Sequence, residues 1–149
     1  MNINVVNKSE NPLPKYARDG DAGMDICASE DVQIKAFSWT TIPTGIYLEI
    51  PEGYECQIRS RSGLAAKFGI FVLNSPGTID SGYRGEVKII LKNEDHRPYE
   101  VKKGDRIAQM VFAPVTNAIL TEVAELSDTD RGEGGLGSTG KWLIRENIM

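Results

Sequence analysis

Short runs of alternating apolar and polar residues make up most of the chain, and each run predicts a β-strand. Alternation with a period of two places every second side chain on one face, which is the pattern of a half-buried strand. Turn signals containing glycine or proline separate the runs. Many short strands at this spacing predict an all-β sandwich or barrel. The clearest runs are residues 32–34, 45–50, 54–59, 86–91 and 107–115.

Two segments depart from this pattern. Residues 63–68 predict one short α-helix, since Gly69 follows them as a typical C-terminal cap. At residue 127 the chain becomes polar and then rich in glycine. The sequence therefore predicts two parts, a β-domain over residues 1–126 and a C-terminal arm over residues 127–149.

Composition limits the classes of function. The chain of 149 residues, 40% hydrophobic and 26% charged, is typical of one soluble globular domain. No apolar run approaches the ~20 residues that cross a bilayer, and the N-terminus lacks the features of a secretory signal, so no membrane partner is expected. The net charge of −4, with scattered basic residues, argues against a nucleic-acid partner.

The cysteines and the histidine exclude further chemistry. Cys27 and Cys56 lie in apolar, strand-like segments and show neither a disulfide framework nor metal-ligand spacing. We therefore expect two buried thiols and a cytoplasmic location. The single histidine, His96, lies in a polar turn, so a catalytic histidine triad is not expected.

Residues 77–85 are the strongest candidate for chemistry. They carry Asp80 and Tyr83 between the apolar runs 70–73 and 87–91, and we expect a hairpin whose backbone can approach a flat ligand. A fixed carboxylate beside a ring-sized slot can activate a water against a bound nucleotide. For this segment alone, an ordinary surface turn begun by Asp80 is an equally good interpretation, because Asp, Ser and Gly are common turn residues.

Three further segments could build a phosphate site. Residues 61–63, Arg-Ser-Gly, precede the predicted helix, where N–H donors, a hydroxyl and a guanidinium can bind an anion. The alternative is a plain helix cap made by Ser62. Gln109 lies on an apolar strand, so its amide needs a polar partner. Asp21 and Asp25 flank a glycine and could cap a turn or lie near a hydrated cation.

The arm contains residues 131–140, half of which are glycine. Such a segment loses much backbone entropy when it becomes ordered, and a flexible tail is one interpretation. The other is a lid that orders on a ligand. Arg131, the hydroxyls of Ser138 and Thr139 and the exposed backbone N–H groups favour the lid, because together they can bind phosphate oxygens.

The order and spacing of these segments closely resemble the five motifs of the trimeric dUTP diphosphatases, or dUTPases. The likeness extends from about residue 13 to residue 140. A match of five motifs in order is highly specific, whereas one Arg-Ser-Gly would not be. The matching segments are residues 21–25, 61–65, 77–85, 104–109 and 131–140.

The resemblance implies a jelly-roll-like β-barrel that assembles as a homotrimer, with active sites shared between chains. It implies hydrolysis of dUTP to dUMP and diphosphate with Mg²⁺, which lowers dUTP and supplies dUMP for thymidylate synthesis. Asp80 corresponds to the carboxylate that activates the water attacking the α-phosphorus. Ser62 corresponds to the residue beside the α–β bridging oxygen. Asp25 corresponds to a carboxylate that reaches the metal through water.

The same likeness assigns the remaining substrate contacts. The hairpin selects uracil through its backbone, and Tyr83 matches the ring under the deoxyribose, which leaves no room for a 2′-hydroxyl. The arm contacts the γ-phosphate and covers the base. The matching positions are Asn74, Thr78, Ile79 and Lys88 for the base, Arg61, Gly63 and Gln109 for the phosphates, and Arg131, Leu136, Ser138 and Thr139 on the arm.

Leu136 departs from the family pattern, which has a phenylalanine that stacks over uracil. We expect weaker closure of the arm with the catalytic machinery kept. A dCTP deaminase shares the fold and the trimer, but the hairpin and the full arm favour the dUTPase. A regulatory protein that has the fold without turnover is also disfavoured, because Asp80 and the arm are present. A second, regulatory role through a protein partner stays compatible with the sequence.

Overall fold

The computed structural model describes residues 1–135, which form a mostly-β fold with one short helix. The predicted fold class is confirmed at this level. Within residues 1–135, no helix has the length and apolar character needed to cross a membrane. The elements are β1 (Asn4–Asn7), β2 (Met24–Cys27), β3 (Val32–Ile34), β4 (Trp39–Ile42), β5 (Ile46–Glu49), β6 (Tyr54–Arg59), α1 (Ser62–Phe68), β7 (Ile70–Val72), β8 (Gly77–Ile79), β9 (Ile89–Asn93), β10 (Tyr99–Val101) and β11 (Arg106–Pro114).

In this part of the chain the strands pair antiparallel into four sheets. The largest has the order β2-β11-β6-β8, and a second has the order β4-β9-β7. Two further sheets pair β1 with β5 and β3 with β10. The predicted jelly-roll-like barrel stays a prediction, because the pairings give four separate sheets.

The chain divides into two compact units, one that ends at Thr116 and one that begins at Asn117. The predicted limits of the β-domain and the arm, residues 1–126 and 127–149, stay a prediction. Among the described residues, the buried apolar core lies between Ile26 and Met110. The core is therefore built within the first unit.

Strand burial follows the alternation that the sequence predicts. In β9, Ile89, Leu91 and Asn93 are buried while Ile90 and Lys92 are partly exposed. Isoleucine and valine dominate the core, as expected for side chains that pack well on a pleated surface. Asn93 is fully buried, and its side-chain amide donates to backbone oxygens, including that of Arg97 at 2.8 Å.

The helix α1 begins and ends close to the predicted limits. Arg61 is the N-cap, with extended backbone, and no side chain caps the helix. Gly69 ends it with φ +64°, and its N–H donates to Ala65 O at 3.1 Å. The prediction that Gly69 ends the helix is confirmed, whereas the alternative of a cap made by Ser62 is wrong.

The segment expected to be a tight hairpin makes a longer excursion. The flanking strands β7 and β9 do pair, with Val72 opposite Leu91. Residues 73–88 between them contain β8, which pairs with β6 in the four-stranded sheet. Gly77 lies opposite Ile58 in this pairing. The predicted pairing of the two flanking runs is therefore confirmed, whereas the tight turn between them is wrong, because residues 73–88 reach a second sheet.

The cysteines differ in burial. Cys56 is fully buried in β6, and burial raises the pKa of its thiol to about 12. Cys27 is only partly buried, and burial, followed by the charge of Asp25, raises its thiol pKa. The expected burial is thus confirmed for Cys56 and holds in part for Cys27.

Gly45 forms the corner between β4 and β5. Its φ of +70° is in the left-handed region, and a Cβ there would lie 2.7 Å from the Ser9 backbone nitrogen. The N–H of Lys8 donates to Gly45 O at 2.8 Å. Residues 8 and 9 can pack on this corner because it lacks a side chain.

Gly45→Ala is therefore expected to lower the free energy of unfolding by more than 2 kcal/mol. The left-handed conformation alone costs about 1–2 kcal/mol for an L-residue, and overlap with the Ser9 backbone adds to it. Gly53→Ala is the matched control, since Gly53 has φ +82° but no atom within 4 Å of its Cβ position. Urea denaturation measures both variants, and equal losses would contradict the importance of the Ser9 contact.

Candidate functional site

A cavity of about 290 Å³ opens beside β8 and contains five of the residues singled out from the sequence. All of its lining residues except Thr41 belong to the chain from β8 to β9. The predicted residues between 78 and 88 thus share one cavity with Thr41 of β4. The cavity is lined by Thr41, Thr78, Ile79, Asp80, Tyr83, Glu86, Lys88 and Ile90.

Asp80 lines this cavity and is exposed. It directly follows the last residue of β8, where the strand ends in a turn. The Tyr83 N–H donates to Asp80 O at 3.1 Å and closes that turn. The strand and the turn fix the backbone of Asp80 while the carboxylate faces solvent and the cavity.

The ring of Tyr83 lies directly on Gly85. A Cβ on Gly85 would come within 2.3 Å of Tyr83 Oη and 2.4 Å of Cζ. Tyr83 Oη donates to Glu86 O at 3.1 Å. Tyr83 is 45% exposed and lines the cavity, so part of the residue is accessible to a ligand.

Asn74 lies at the start of the same excursion. Its Nδ2 is 3.1 Å from the position that a Cβ on Gly77 would occupy. Asn74 is exposed, and its side chain packs against Gly77, the first residue of β8. It does not line the 290 Å³ cavity itself.

A second cluster of predicted residues surrounds Asp25 on β2. Arg61 Nε donates to Asp25 Oδ1 at 3.0 Å, and Arg106 Nη1 donates to Oδ2 at 3.1 Å. Gln109 lies directly opposite Asp25 on β11, and its Nε2 lies 3.4 Å from Oδ1. The predicted polar partner of Gln109 is therefore Asp25.

The Asp25 cluster carries a net positive charge. Two guanidinium groups face one carboxylate, and Arg61 also donates to the backbone oxygen of Arg106 at 2.7 Å. Ser62 and Gly63 are exposed at the first positions of α1, beside Arg61. An excess of fixed donors and positive charge is what phosphate oxygens require.

A cavity of about 310 Å³ adjoins the cluster and includes Asp25 and Gln109 in its lining. Asp21 lies at its edge, and its carboxylate accepts the Arg18 N–H at 2.9 Å. Of the two uses considered for Asp21 and Asp25, capping a turn is thus confirmed for Asp21.

Direct metal binding by the protein does not fit this cluster. Both oxygens of Asp25 already accept hydrogen bonds from arginines. Across residues 1–135, no group of three or more His, Cys, Asp or Glu side chains could hold a metal ion. The donor set suits an anion, with any Mg²⁺ carried by that anion.

The two clusters lie apart within one chain. Ile79, beside Asp80, is opposite Cys56 on β6, whereas Gln109 is opposite Arg59. Those two positions on β6 are separated by about 10 Å at the usual strand rise, and β6 lies between β8 and β11. One chain therefore does not bring the Asp80 cavity and the Asp25 cluster into contact.

The arm is described only at its beginning. Arg131 is exposed, and its Nε donates to Gly134 O at 2.8 Å, within its own turn. Leu136, Ser138 and Thr139 lie outside the described residues.

Sequence reasoning missed two residues, Arg106 and Glu86. Arg106 opens β11 and holds Asp25 together with Arg61. The Glu86 carboxylate accepts the backbone N–H groups of Thr44 and Gly45 at 3.2 and 2.9 Å. In the sequence, each of the two is a charged residue at the end of an apolar run. Ordinary solvent-exposed strand ends show the same pattern.

Comparisons of this chain with known proteins indicate one family. The model of the dUTPase family matches residues 9–140. A deoxyuridine 5'-triphosphate nucleotidohydrolase of Finegoldia magna is 51% identical over 142 residues, which are 94% of this chain and 99% of that protein.

Two solved phage structures are similar in fold. The Staphylococcus bacteriophage 80alpha dUTPase with dUpNHpp has a TM-score of 0.87 and 30% identity, and the match covers 94% of this chain and 99% of that one. That protein is described as controlling transfer of virulence genes by a G protein-like mechanism. A mutant dUTPase of phage phi11 of S. aureus, with a structural Mg(II) ion, has a TM-score of 0.77 and 28% identity over 84% of this chain and 98% of that one.

Proposed function

The chain belongs to the dUTPase family, and we propose that it hydrolyses dUTP to dUMP and diphosphate. The single observation that carries the proposal is the cavity that gathers Asp80, Tyr83 and the backbone of β8. These are the positions that match the family's water-activating carboxylate, its sugar-stacking ring and its base-pairing backbone. Hydrolysis would lower dUTP and supply dUMP for thymidylate synthesis.

Asp80 acts as the general base in the proposed step. Its carboxylate accepts a proton from a water whose oxygen forms a bond to the α-phosphorus. The bond from the α-phosphorus to the α–β bridging oxygen breaks, and diphosphate leaves with the electron pair. The exposed carboxylate at the end of β8 supports this role, because a base must reach both a water and the substrate.

The Asp25 cluster binds the phosphates in this proposal. Arg61 and Gln109 are held by Asp25, so their positions are fixed before the substrate arrives. Ser62 and Gly63 present a hydroxyl and a backbone at the start of α1, with no side chain capping the helix. Donors placed where charge develops on the leaving oxygen stabilise the transition state more than the ground state.

Assembly as a homotrimer would unite the two clusters. Asp80 and Gln109 lie on different strands, with β6 between them, and do not meet within one chain. We propose that each active site combines the Asp80 cavity of one chain with the Asp25 cluster of another. The jelly-roll-like barrel belongs to the same proposal.

Mg²⁺ enters the proposal as part of the nucleotide substrate. When bound to the phosphates it would neutralise part of their charge. Asp25 is committed to Arg61 and Arg106, so the contact that we propose for it runs through a water. The Mg(II) ion described for the phage phi11 protein is a structural ion of that protein.

Selectivity for uracil and deoxyribose resides in the cavity of β8. The backbone of Thr78, Ile79 and Lys88 would pair with the uracil edge, so the amino group of cytosine would face the wrong partner. Asn74 would contact the base from the start of β8. The ring of Tyr83, held on Gly85, would lie under the sugar and exclude a 2′-hydroxyl.

The arm completes the proposed site. Arg131, Ser138 and Thr139 would bind the γ-phosphate, and Leu136 would cover the base without the aromatic stacking that the family usually has. The arm would order on the substrate and exclude water, as closing lids do.

Release of diphosphate from dUTP, UTP, dTTP and dCTP in the presence of Mg²⁺ tests the proposed function. We expect release from dUTP and little from the other three. Release of ammonia from dCTP would assign the chain to the deaminase reaction instead. A folded protein with no release from any nucleotide would favour a regulatory role, such as the mechanism described for the 80alpha relative.

Gly85→Ala is expected to weaken discrimination against UTP. The new Cβ would overlap the Tyr83 ring at 2.3–2.4 Å, so the ring must move off the position that excludes the 2′-hydroxyl. We expect the ratio of kcat/KM for dUTP to that for UTP to fall about tenfold, the scale of a change of one small group in a pocket. Gly82→Ala is the control, since no atom lies within 4 Å of its Cβ position. An unchanged ratio in Gly85→Ala would contradict the role of Tyr83.

A further inference from the structure

The proposed reaction gives no role to the carboxylate of Glu86, although this carboxylate has several close partners. The side chain is 17% exposed although the residue borders an open cavity. Its Oε1 accepts the N–H of Gly45 at 2.9 Å and the N–H of Thr44 at 3.2 Å. Lys88 Nζ lies 3.7 Å from Oε2. A carboxylate oxygen that accepts two backbone N–H groups is a directional attachment.

The same corner holds the next residue as well. Thr44 Oγ1 donates to Val87 O at 2.5 Å, and the Val87 N–H donates to Ile46 O at 2.8 Å. Residues 86 and 87 are thus fastened to the corner between β4 and β5 by both side chain and backbone. Glu86 also forms an isolated antiparallel bridge with Tyr47 of β5, whereas β9 begins only at Ile89.

The corner in turn is fixed from its other side. Gly45 O accepts the N–H of Lys8, and the chain at Ser9 packs where a Cβ on Gly45 would lie. Glu86 therefore binds to a corner whose backbone is already held by the Lys8 hydrogen bond and by packing against Ser9. The excursion of residues 73–88 is anchored at one end by β8 and at the other by Glu86.

Both selectivity elements of the cavity connect to this anchor. The backbone oxygen of Glu86 accepts the hydrogen bond from Tyr83 Oη at 3.1 Å. Lys88, whose backbone is assigned to the base edge, follows two residues later. A displacement of Glu86 would therefore move the sugar-facing ring and the base-facing backbone together.

We propose that Glu86 is a positioning residue that sets selectivity for both the base and the sugar. This inference rests on the proposed hydrolysis of dUTP. Glu86 acts through Tyr83 and Lys88, since its Oε1 is engaged by the amides of the corner and its Oε2 faces the Lys88 ammonium.

The test compares Glu86→Ala, Glu86→Gln and Glu86→Asp, with dUTP, UTP and dCTP as substrates. For Ala and Asp we expect both ratios, dUTP over UTP and dUTP over dCTP, to fall about tenfold in kcat/KM, with KM for dUTP raised more than kcat is lowered. Asp keeps the charge but is one methylene too short to reach the amides. Gln keeps an acceptor oxygen at the right length and should retain both ratios within about threefold.

Glu49→Ala is the matched control. Glu49 is 53% exposed and lies 3.8 Å from Arg84 of the same excursion, but its side chain does not accept the amides of the corner. We expect unchanged ratios. Because Asp and Gln are conservative, they keep the test decisive if the Ala variant fails to fold.

Two results would overturn the proposal. One is a loss of thermal stability in the Ala and Asp variants with both ratios unchanged, which would make Glu86 merely structural. The other is a loss of selectivity in Glu86→Gln equal to that in Glu86→Ala. That result would mean that selectivity depends on the charge of Glu86 and not on its hydrogen bonds to the corner. Wild-type hydrolysis of dUTP is measured first, so a failure of the proposed function is seen separately.

Discussion

Asp80→Asn is expected to lower kcat for dUTP by about 100-fold or more while the protein stays folded and binds nucleotide. The amide has nearly the shape of the carboxylate but cannot accept the proton of the attacking water. Asp80 is exposed and its backbone is held by β8 and by the Tyr83 N–H, so the substitution removes chemistry without disturbing packing. Diphosphate release gives kcat, and calorimetry with dUpNHpp gives the affinity.

The control for this variant is Asp19→Asn. Asp19 is also an exposed aspartate, but it lines neither the 290 Å³ cavity nor the 310 Å³ cavity beside Asp25. It should retain wild-type kcat. An Asp80→Asn variant with a nearly normal rate would mean that another group activates the water. A variant that loses both kcat and dUpNHpp affinity would instead place Asp80 in substrate binding.

Local patterns in the sequence were sufficient for the elements that pack on one core. The alternation over residues 32–34 and 54–59 coincides with β3 and β6, and Gly69 ends α1 as predicted. These features depend on side chains and backbone within a few residues of each other. The sequence alone therefore contains the physical causes that determine them.

The arrangement of the candidate site depends on contacts between distant residues. Strand β8 has only three residues and pairs with β6 of another sheet, a long-range pairing that the local alternation of residue types does not predict. Arg106 reaches Asp25 only because β11 pairs with β2 in one register. The motifs indicated which residues matter, but the division of those residues into two separate clusters required the structure.

Glu86 is the clearest case of such a contact. Its partners are the backbone amides of Thr44 and Gly45, and backbone groups leave no trace in the pattern of residue types. The run 86–91 predicts one strand, but Glu86 bridges to Tyr47 of β5 and the Val87 N–H donates to Ile46 O, whereas β9 begins at Ile89 and pairs with β4 and β7. One local alternation is thus divided between different pairing partners, and the division lies beside the cavity.

Truncation after Asp130 is expected to lower kcat/KM for dUTP by about 10- to 100-fold. The truncation removes Arg131 with the arm, and a hydrogen bond to a charged group contributes about 1.5–3 kcal/mol. The buried core lies between Ile26 and Met110, so the truncation removes none of its residues. The free energy of unfolding should change by less than about 1 kcal/mol. Diphosphate release and urea denaturation of the 1–130 protein measure the two effects separately.

A second truncation, after Gly140, separates the motif from the tail that follows it. The 1–140 protein keeps Arg131, Leu136, Ser138 and Thr139 and should retain most of the activity. If the 1–130 and 1–140 proteins lose activity equally, the phosphate contacts assigned to residues 131–140 are wrong and the tail carries the effect. If 1–130 retains full activity, the arm is no lid, and the cavity of β8 with the Asp25 cluster suffices for turnover. Loss of activity in 1–130 alone, with stability unchanged, is the result that a closing arm requires.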